Sequence, residues 1–307
     1  MSSAVIDAGS NTFRLLIGYL DGGRPVRIRS ERRVTRLARG LGQSQLLGEK
    51  GIESSLAALR DFSSEIRSLG VRTVRAVGTS ALREAQNGAE FVRMACQECG
   101  IEIEIISGRR EAELTAKGVV AGFEPAPKEA FIADIGGGST EWIVLSCTES
   151  TSAVRGSIPI GVVKLSEAMV AGACDSASLH LLIDPAFEPA LESAAALRRP
   201  PLFIGTGGTV TTLASIDLGL ADYDPARVHG HTMHTDRLDS LYDMLSGLPA
   251  EERRRVPGLD SGREDLIIPG VLLTMRLARL LGCGSVTASD YGLLEGLLKE
   301  IGDEKGL

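Results

Sequence analysis

The sequence predicts an α/β protein built from two similar halves. Strand-like and helix-like segments alternate along its 307 residues, which is enough chain for two domains of ordinary size. A segment with two prolines, FEPAPKEA at 123–130, separates the halves. Each half opens with an apolar strand, an aspartate, a glycine-bearing turn with Ser and Thr, and a second apolar strand. We therefore expect a first domain over 1–124 and a second domain over 125–307.

The first half begins with three predicted strands at Ala4–Asp7, Phe13–Leu20 and Val26–Leu37, the first two joined by the tight turn GSNT. Apolar residues then recur at steps of three and four, which predicts an amphipathic helix over Glu49–Leu69. The remaining elements predicted in this half are a strand at Val71–Val77, a helical stretch over Ser80–Gly100, a strand at Ile101–Ile106 and a helix capped by Ser107.

The second half restarts with predicted strands at 130–135, 141–146 and 151–158. A helix over Ala177–Leu197 is expected to be interrupted near Pro185 and Pro189, because proline removes a helical hydrogen bond. The rest is predicted as a strand at Pro201–Gly205, a helix at Thr209–Leu218, a strand at Val286–Ala288 and helices at 235–246, 263–281 and 290–301, the last of which could dock on the first domain.

Composition excludes several classes of protein. The net charge of −7 argues against non-specific binding of nucleic acid. No segment has the apolar length of a membrane span, and MSSAVIDAGS is not a secretory signal, so we expect a cytoplasmic protein without a membrane partner. Residues 24–39 hold seven arginines and one acid. Such a run is typical of the solvated face of a strand pair, with a basic patch for a polyanion as the alternative.

The two glycine-bearing turns have the composition of phosphate-binding loops. Bare backbone N–H groups bind phosphate oxygens, which explains the triplet Gly136, Gly137 and Gly138. Ser10 and Ser139 add hydroxyl donors. Neither turn matches the P-loop or the dinucleotide-binding motif. Two such turns facing each other across a cleft would suit the phosphates of an extended anion.

Carboxylates stand beside both turns. Asp7 and Asp134 each end a strand there, and a carboxylate next to bound phosphate needs a cation between them. Mg²⁺ binds one or two carboxylates together with phosphates and water, so Asp134 and Glu141 are candidate magnesium ligands. The alternative is that the aspartates only cap turns.

A third glycine turn lies between a predicted strand and a helix, in FIGTGGTVTTLAS at 203–215. Gly207, Gly208 and Thr209 would place backbone N–H groups at a helix N-terminus, where anions bind. Such junctions also serve for packing alone.

Three histidines in HGHTMH at 229–234 could bind a transition metal, but no acid or cysteine lies close by in sequence to complete a ligand set.

The ordered motifs of the chain resemble those of the exopolyphosphatase/guanosine-pentaphosphate phosphohydrolase (Ppx/GppA) family. They are IDAGSNTFRLLI, AVGTSALREAQN, EIISGRREAEL, ADIGGGSTEW, SIPIGVVKLSE, IGTGGTVTTLAS and GREDLIIPG. The resemblance implies a two-domain actin-like (ribonuclease H-like) phosphatase fold with the active site in the interdomain cleft. It matches the short form of the family, without the C-terminal helical domain of longer members.

The resemblance also implies a reaction and its residues. The family releases the terminal phosphate of inorganic polyphosphate or guanosine pentaphosphate with Mg²⁺, and a glutamate activates water; here that residue is Glu111. The residues that match its phosphate-binding positions are Ser10, Asn11, Arg14, Arg83, Gly136, Gly137, Gly138, Ser139, Gly207, Gly208, Thr209 and Arg263. Those that match positions near the metal are Asp134, Glu141 and Asp7.

Alternatives remain at this level. Glu111 lies in the first helical turn after Ser107, where the helix dipole favours any carboxylate, and it could be paired with a neighbouring arginine. It is not explained by a capping box, whose acid would stand at Arg110. Isolated arginines such as Arg14, Arg83 and Arg263 are usually surface residues. A kinase or ATPase of the same superfamily, or a non-catalytic sensor, would share both turns. The choice of substrate and the oligomeric state, a homodimer included, stay open.

Overall fold

The computed structural model describes residues 2–146, 154–197, 199 and 201–305. The chain divides into two compact units: the described part of Met1–Gly122 with Gly292–Leu307, and Phe123–Tyr291. The predicted boundary after residue 124 lies two residues beyond the observed one. The predicted second domain extends too far, because its final segment belongs to the first unit.

The first unit contains a five-stranded sheet in the order β3-β2-β1-β4-β5. Its first three strands are antiparallel neighbours, while β4 and β5 continue the sheet in parallel with β1. The strands are β1 (Ser3–Ala8), β2 (Thr12–Asp21), β3 (Arg24–Val34), β4 (Thr73–Gly78) and β5 (Ile103–Ile105). The helices are α1 (Leu41–Ser44), α2 (Glu49–Ser68), α3 (Ser80–Glu84), α4 (Gly88–Cys99), α5 (Gly108–Gly122) and the last helix, α13 (Leu293–Glu304).

Both faces of the central strand β1 are covered, which is why its sequence is almost continuously apolar. Ala4 and Ile6 belong to one buried cluster, together with α2 and α4, and Val5 belongs to another, together with α5 and α13. A Cβ on Gly296 would lie 1.9 Å from the carbonyl oxygen of Leu114. Glycine is therefore required for the close approach of α13 to α5.

The second unit contains a six-stranded sheet in the order β10-β11-β9-β6-β7-β8. The strands are β6 (Ala130–Ile135), β7 (Thr140–Leu145), β8 (Val154–Ile158), β9 (Phe203–Thr206), β10 (Thr232–His234) and β11 (Ser285–Ala288). The helices are α6 (Val162–Val170), α7 (His180–Ala194), α8 (Gly207–Asp217), α9 (Pro225–Val228), α10 (Thr235–Ser246), α11 (Ala250–Arg253) and α12 (Ile267–Leu280).

The two sheets repeat one topology. In each, three antiparallel strands are followed by two strands parallel to the first, so β1 and β6 occupy equivalent central places, and the second sheet adds β10 as an antiparallel edge strand. The registers agree as well: Asp7 pairs with Arg14 across β1 and β2, and Asp134 pairs with Glu141 across β6 and β7. The internal repeat seen in the sequence is therefore a repeat of structure, and the predicted α/β class is confirmed.

Several predicted boundaries were wrong. Helix α7 runs without interruption through Pro185 and Pro189, because its buried face, which includes Phe187, holds it against the core. The stretch predicted over Ser80–Gly100 is two helices, and the helix predicted from 263 begins at Ile267. The first three residues of the strand predicted over 151–158 lie outside the described residues. Short elements such as α1, α9, α11 and β10, together with α6, were not predicted.

One carboxylate ties α13 to the rest of the first unit. Glu300 accepts hydrogen bonds from Arg75 (3.1 Å), Lys117 (3.1 Å) and Arg110. Partial burial opposes its ionisation, but the hydrogen bonds from Arg110 and Lys117 outweigh that effect, so the pKa of Glu300 lies below its ordinary value.

We predict that Glu300→Gln lowers the free energy of unfolding by about 1–3 kcal/mol at neutral pH, because the charge-assisted hydrogen bonds are weakened. A depressed pKa contributes stability above the unfolded-state value of about 4.3, and that contribution disappears as the pH falls through the folded-state pKa. The gap between wild type and variant should therefore close on acidification, as measured by urea unfolding at several pH values. Glu304→Gln is the control. This glutamate is more exposed than Glu300 and pairs with Arg75 (2.8 Å). Equal losses for both variants would contradict the prediction.

Candidate active site

The first turn, Gly9–Thr12, is fixed by the segment that follows β3. The amide of Ala38 donates to the carbonyl oxygen of Ser10 (2.8 Å), and the amides of Thr35 and Arg36 donate to that of Asn11 (3.0 and 2.9 Å). A Cβ at Gly9 would lie 2.7 Å from the carbonyl oxygen of Thr12, so the turn cannot close with a larger residue there. The predicted residues Ser10 and Asn11 are both buried.

The second turn, Gly136–Ser139, is fixed in the same way. The first two amides of α6, from Val162 and Val163, donate to the carbonyl oxygens of Gly136 (3.0 Å) and Gly137 (2.8 Å). A Cβ at Gly136 would lie 2.9 Å from the carbonyl oxygen of Ser139. In both turns the carbonyl oxygens are used by the following segment, an arrangement that lets amide N–H groups of the turn meet an anion.

Asp7, the second-last residue of β1, lies beside the first turn and is bound on one carboxylate oxygen. Its Oδ2 accepts from Nε and Nη2 of Arg14, at 3.0 and 2.7 Å. Its Oδ1 is buried and has no hydrogen-bond partner among the described residues, although the residue is only 4% exposed. A buried carboxylate oxygen without a partner is costly, so this atom marks a place for a water, an ion or a ligand.

Glu111 lies in the first turn of α5 and is held from α3. Nη1 of Arg83 donates to its Oε2 (2.7 Å) and to the carbonyl oxygen of Ile106 (3.0 Å). The hydroxyl of Ser107 accepts from the amide of Arg110 (3.2 Å), which confirms the predicted cap. Arg83 is therefore not a simple surface residue: it orients a buried carboxylate at the edge where β4 and β5 end.

In the second unit, Asp134 and Glu141 are direct cross-strand neighbours, so both side chains project from the same face of the sheet. Glu141 is 1% exposed, and its Oε1 accepts from the hydroxyls of Ser139 (2.8 Å) and Ser157 (2.7 Å). Ser157 was missed in the sequence. Ser157 lies directly opposite Glu141 in the pairing of β7 and β8. The sequence alone does not specify the register of that pairing.

The third glycine turn, Thr206–Gly208, packs against this site. Gly207 has φ +83°, and a Cβ there would lie 2.3 Å from Oδ1 of Asp134. A Cβ on Gly208 would lie 1.8 Å from Nη2 of Arg263, which is buried. Thr209 donates its hydroxyl to the carbonyl oxygen of Ile135 (3.0 Å). The start of α8 thus contacts a carboxylate and a guanidinium at once, and the helix dipole favours the carboxylate.

Two further observations concern metals and membranes. Among the described residues, no three His, Cys, Asp or Glu side chains form a group that could hold a metal ion. The histidines of HGHTMH have different partners: the ring of His229 contacts those of Phe123 and Tyr291 at a tilt (4.5 and 4.9 Å between ring centroids), while His231 pairs with Asp217 (2.6 Å). Within the same described part of the chain, every helix is too short or too polar to cross a bilayer.

Residues 17–304 match the Ppx/GppA phosphatase family model, and the chain belongs to this family. Exopolyphosphatase 2 of Mycobacterium tuberculosis is 29% identical, with 96% of each chain covered. Two solved structures also align over nearly the whole chain. An exopolyphosphatase from Cytophaga hutchinsonii has 26% identity and a TM-score of 0.88, covering 99% of this chain and 98% of its own. A family member from Aquifex aeolicus has 27% identity and a TM-score of 0.79, covering 100% and 99%. The predicted family and its actin-like fold are confirmed.

We predict that Gly207→Ala destabilises the protein more than Gly219→Ala. Both glycines have positive φ, +83° and +61°, so both variants pay for the left-handed backbone, about 1 kcal/mol. Only the alanine at 207 would also collide with Asp134, which should cost a further ~1–3 kcal/mol. Nothing lies within 4 Å of a Cβ at Gly219. Equal losses of unfolding free energy in urea would show that the contact of α8 with Asp134 is loose.

Proposed function

We propose that the protein is a phosphohydrolase that releases the terminal phosphate of inorganic polyphosphate. The observation that carries this proposal is the repeated glycine turn. In each unit a following segment binds the carbonyl oxygens of the turn, and a carboxylate lies beside it. The names of the relatives, exopolyphosphatases among them, support polyphosphate as the substrate.

Glu111 is the proposed general base. It would orient a water and accept its proton while the water oxygen attacks the terminal phosphorus in line. The bond from that phosphorus to its bridging oxygen breaks, which gives inorganic phosphate and a chain one phosphate shorter. The hydrogen bond from Arg83 fixes the carboxylate, so the base is positioned before substrate binds.

The remaining predicted residues are proposed to bind phosphate. In the first unit they are Ser10, Asn11 and Arg14. In the second they are the backbone of Gly136–Ser139, the start of α8 at Gly207, Gly208 and Thr209, and Arg263. Backbone donors and arginines that are fixed before the reaction stabilise charge on phosphoryl oxygens without reorganising.

The residues present fit Mg²⁺. Asp134 and Glu141 offer only oxygen donors, and Mg²⁺ is commonly bound by one or two carboxylates with water and substrate phosphates completing its shell. Bound there, Mg²⁺ would offset negative charge on the phosphoryl oxygens. Asp7, with its unpartnered Oδ1, stays a further predicted oxygen ligand.

We predict that Glu111→Gln lowers kcat for phosphate release from polyphosphate at least ~100-fold, because glutamine cannot accept the proton. The measurement is inorganic phosphate released with Mg²⁺ and no added acceptor, so a kinase that requires an acceptor would give no signal. Guanosine pentaphosphate and ATP serve as comparison substrates.

The matched control is Glu113→Gln, two residues further along α5, where the carboxylate pairs with Arg110 (3.1 Å) and Lys117 (3.4 Å). It should keep wild-type turnover. Near-normal turnover of Glu111→Gln would refute its role as the base. Tight binding of polyphosphate by the wild type without any release would show a sensor instead of an enzyme.

We predict that Asp134→Asn and Glu141→Gln each raise the Mg²⁺ concentration required for half-maximal phosphate release at least ~10-fold. Loss of even an outer-shell metal contact typically lowers metal affinity ~10–100-fold. The reason is that each substitution removes a negative oxygen ligand. Asp184→Asn is the control, because this carboxylate in the same unit pairs with Arg276 on the surface. An unchanged Mg²⁺ dependence in both variants would place the metal ligands elsewhere.

A further inference from the structure

Thr35 carries a hydroxyl that folding alone does not explain. The residue is 4% exposed, and its Oγ1 has no hydrogen-bond partner among the described residues. A threonine hydroxyl can donate one hydrogen bond and accept two, and burying it without any is unfavourable. Valine has the same shape and would avoid this cost. A threonine here therefore suggests a partner that is not part of the folded chain.

The backbone places Thr35 directly against the first turn. Its amide donates to the carbonyl oxygen of Asn11 (3.0 Å), and the next amide, from Arg36, donates to the same oxygen (2.9 Å). Arg36 has φ +54°, and only one other non-glycine residue with positive φ, Gln45, is found in the described part of the chain. A strained backbone of this kind persists only where its surroundings fix it, so Thr35 is held firmly beside the turn.

A second buried oxygen without a partner lies at the same turn. It is Oδ1 of Asp7, the residue that precedes the turn by two positions. A hydroxyl and a carboxylate could satisfy each other, yet in the structure they do not. The first turn is thus flanked by two polar atoms that are buried and unsatisfied: Thr35 Oγ1, which can donate to an anion, and Asp7 Oδ1, which can only accept, from a water or toward a cation.

The charges around the turn favour an anion. Arg32 lies directly opposite Arg14 across β2 and β3, and the amide of Arg36 binds the carbonyl oxygen of Asn11, so the backbone brings three arginines close to the first turn. Like charges facing each other across a strand pair are unfavourable unless something offsets them. Asp7 offsets part of that positive charge through its ion pair with Arg14 (2.7 Å).

The arginine-rich run 24–39 therefore has two parts. Earlier arginines form ion pairs within the unit, Arg27 with Glu295 (2.9 Å) and Arg33 with Glu31 (2.7 Å), as expected for a solvated strand face. The later part, residues 35–38, is bound to the first turn through its amides.

We infer that Thr35 is a substrate-binding residue whose hydroxyl donates a hydrogen bond to a phosphoryl oxygen of a polyphosphate chain bound at the first turn. The inference rests on the proposed function, because it assigns a phosphate contact to that same reaction. No bond is made or broken at Thr35. Its contribution is one charge-assisted hydrogen bond, together with the removal of a buried unsatisfied hydroxyl when substrate binds.

The test uses Thr35→Val, Thr35→Ser and a matched control, Ser55→Ala. Ser55 lies in α2, is fully buried, and its Oγ likewise has no partner among the described residues. Both Thr35→Val and Ser55→Ala should leave the melting temperature unchanged or raise it, since each removes a buried unsatisfied hydroxyl. Only Thr35→Val should lower kcat/KM for phosphate release, by about tenfold or more, the usual effect of losing a hydrogen bond to a charged group. Thr35→Ser should retain most of the activity.

Binding of inorganic tripolyphosphate, measured by calorimetry, separates this inference from the proposed function. Weaker binding by Thr35→Val than by wild type and Thr35→Ser supports the inference even if no phosphate is released. Wild-type binding and turnover in Thr35→Val would overturn it while leaving the phosphohydrolase proposal intact. A wild type that does not bind tripolyphosphate, or a loss of activity that follows a fall in melting temperature in both Thr35 variants, would also overturn it.

Discussion

The rest of the site depends on one constraint: backbone hydrogen bonds from a following segment fix the carbonyl oxygens of each glycine turn. Short turns such as Gly9–Thr12 and Gly136–Ser139 hold few side chains that could fix their shape by packing. Here the segment after the third strand supplies the missing restraint, through Thr35, Arg36 and Ala38 in the first unit and through Val162 and Val163 in the second. These amides bind the carbonyl oxygens and so help to fix the turn, while the amide groups of the turn can remain open to an anion.

This restraint explains why the repeat extends beyond the two turns. Each turn needs a third strand to bring the restraining segment into place, and each sheet provides it, as β3 and β8. The equivalence ends where the chemistry differs. The position opposite the aspartate is Arg14 in the first unit and Glu141 in the second, so one aspartate is neutralised by a guanidinium and the other is joined by a second carboxylate. A pair of carboxylates calls for a cation, whereas the guanidinium of Arg14 already offsets part of the charge of Asp7.

The sequence predicted those parts of the site that are local. Asp134 and Glu141 are seven residues apart around a short turn, so the hairpin alone brings them together. Arg83 and Glu111 are separated by 28 residues, and their contact depends on β4 and β5 ending at one edge of the sheet, which periodicity does not specify. Ser157 was missed for the same reason. The continuity of α7 through Pro185 and Pro189 shows the opposite case, in which a correct local rule is outweighed by packing in the core.

Ion pairs and unsatisfied buried groups have opposite effects on the stability of the fold. Ion pairs such as Glu300 with Arg110 and Lys117 stabilise the first unit, and their presence needs no further explanation. At the first turn, Asp7 Oδ1 and Thr35 Oγ1 are buried without a partner among the described residues. Valine in place of Thr35 would remove that cost, whereas an apolar residue in place of Asp7 would also break its ion pair with Arg14. Thr35 Oγ1 can donate a hydrogen bond to a phosphoryl oxygen of a bound phosphate chain, whereas Asp7 Oδ1 can only accept and requires a water or a cation. Binding that supplies the missing hydrogen bond of Thr35 also gains affinity from that relief.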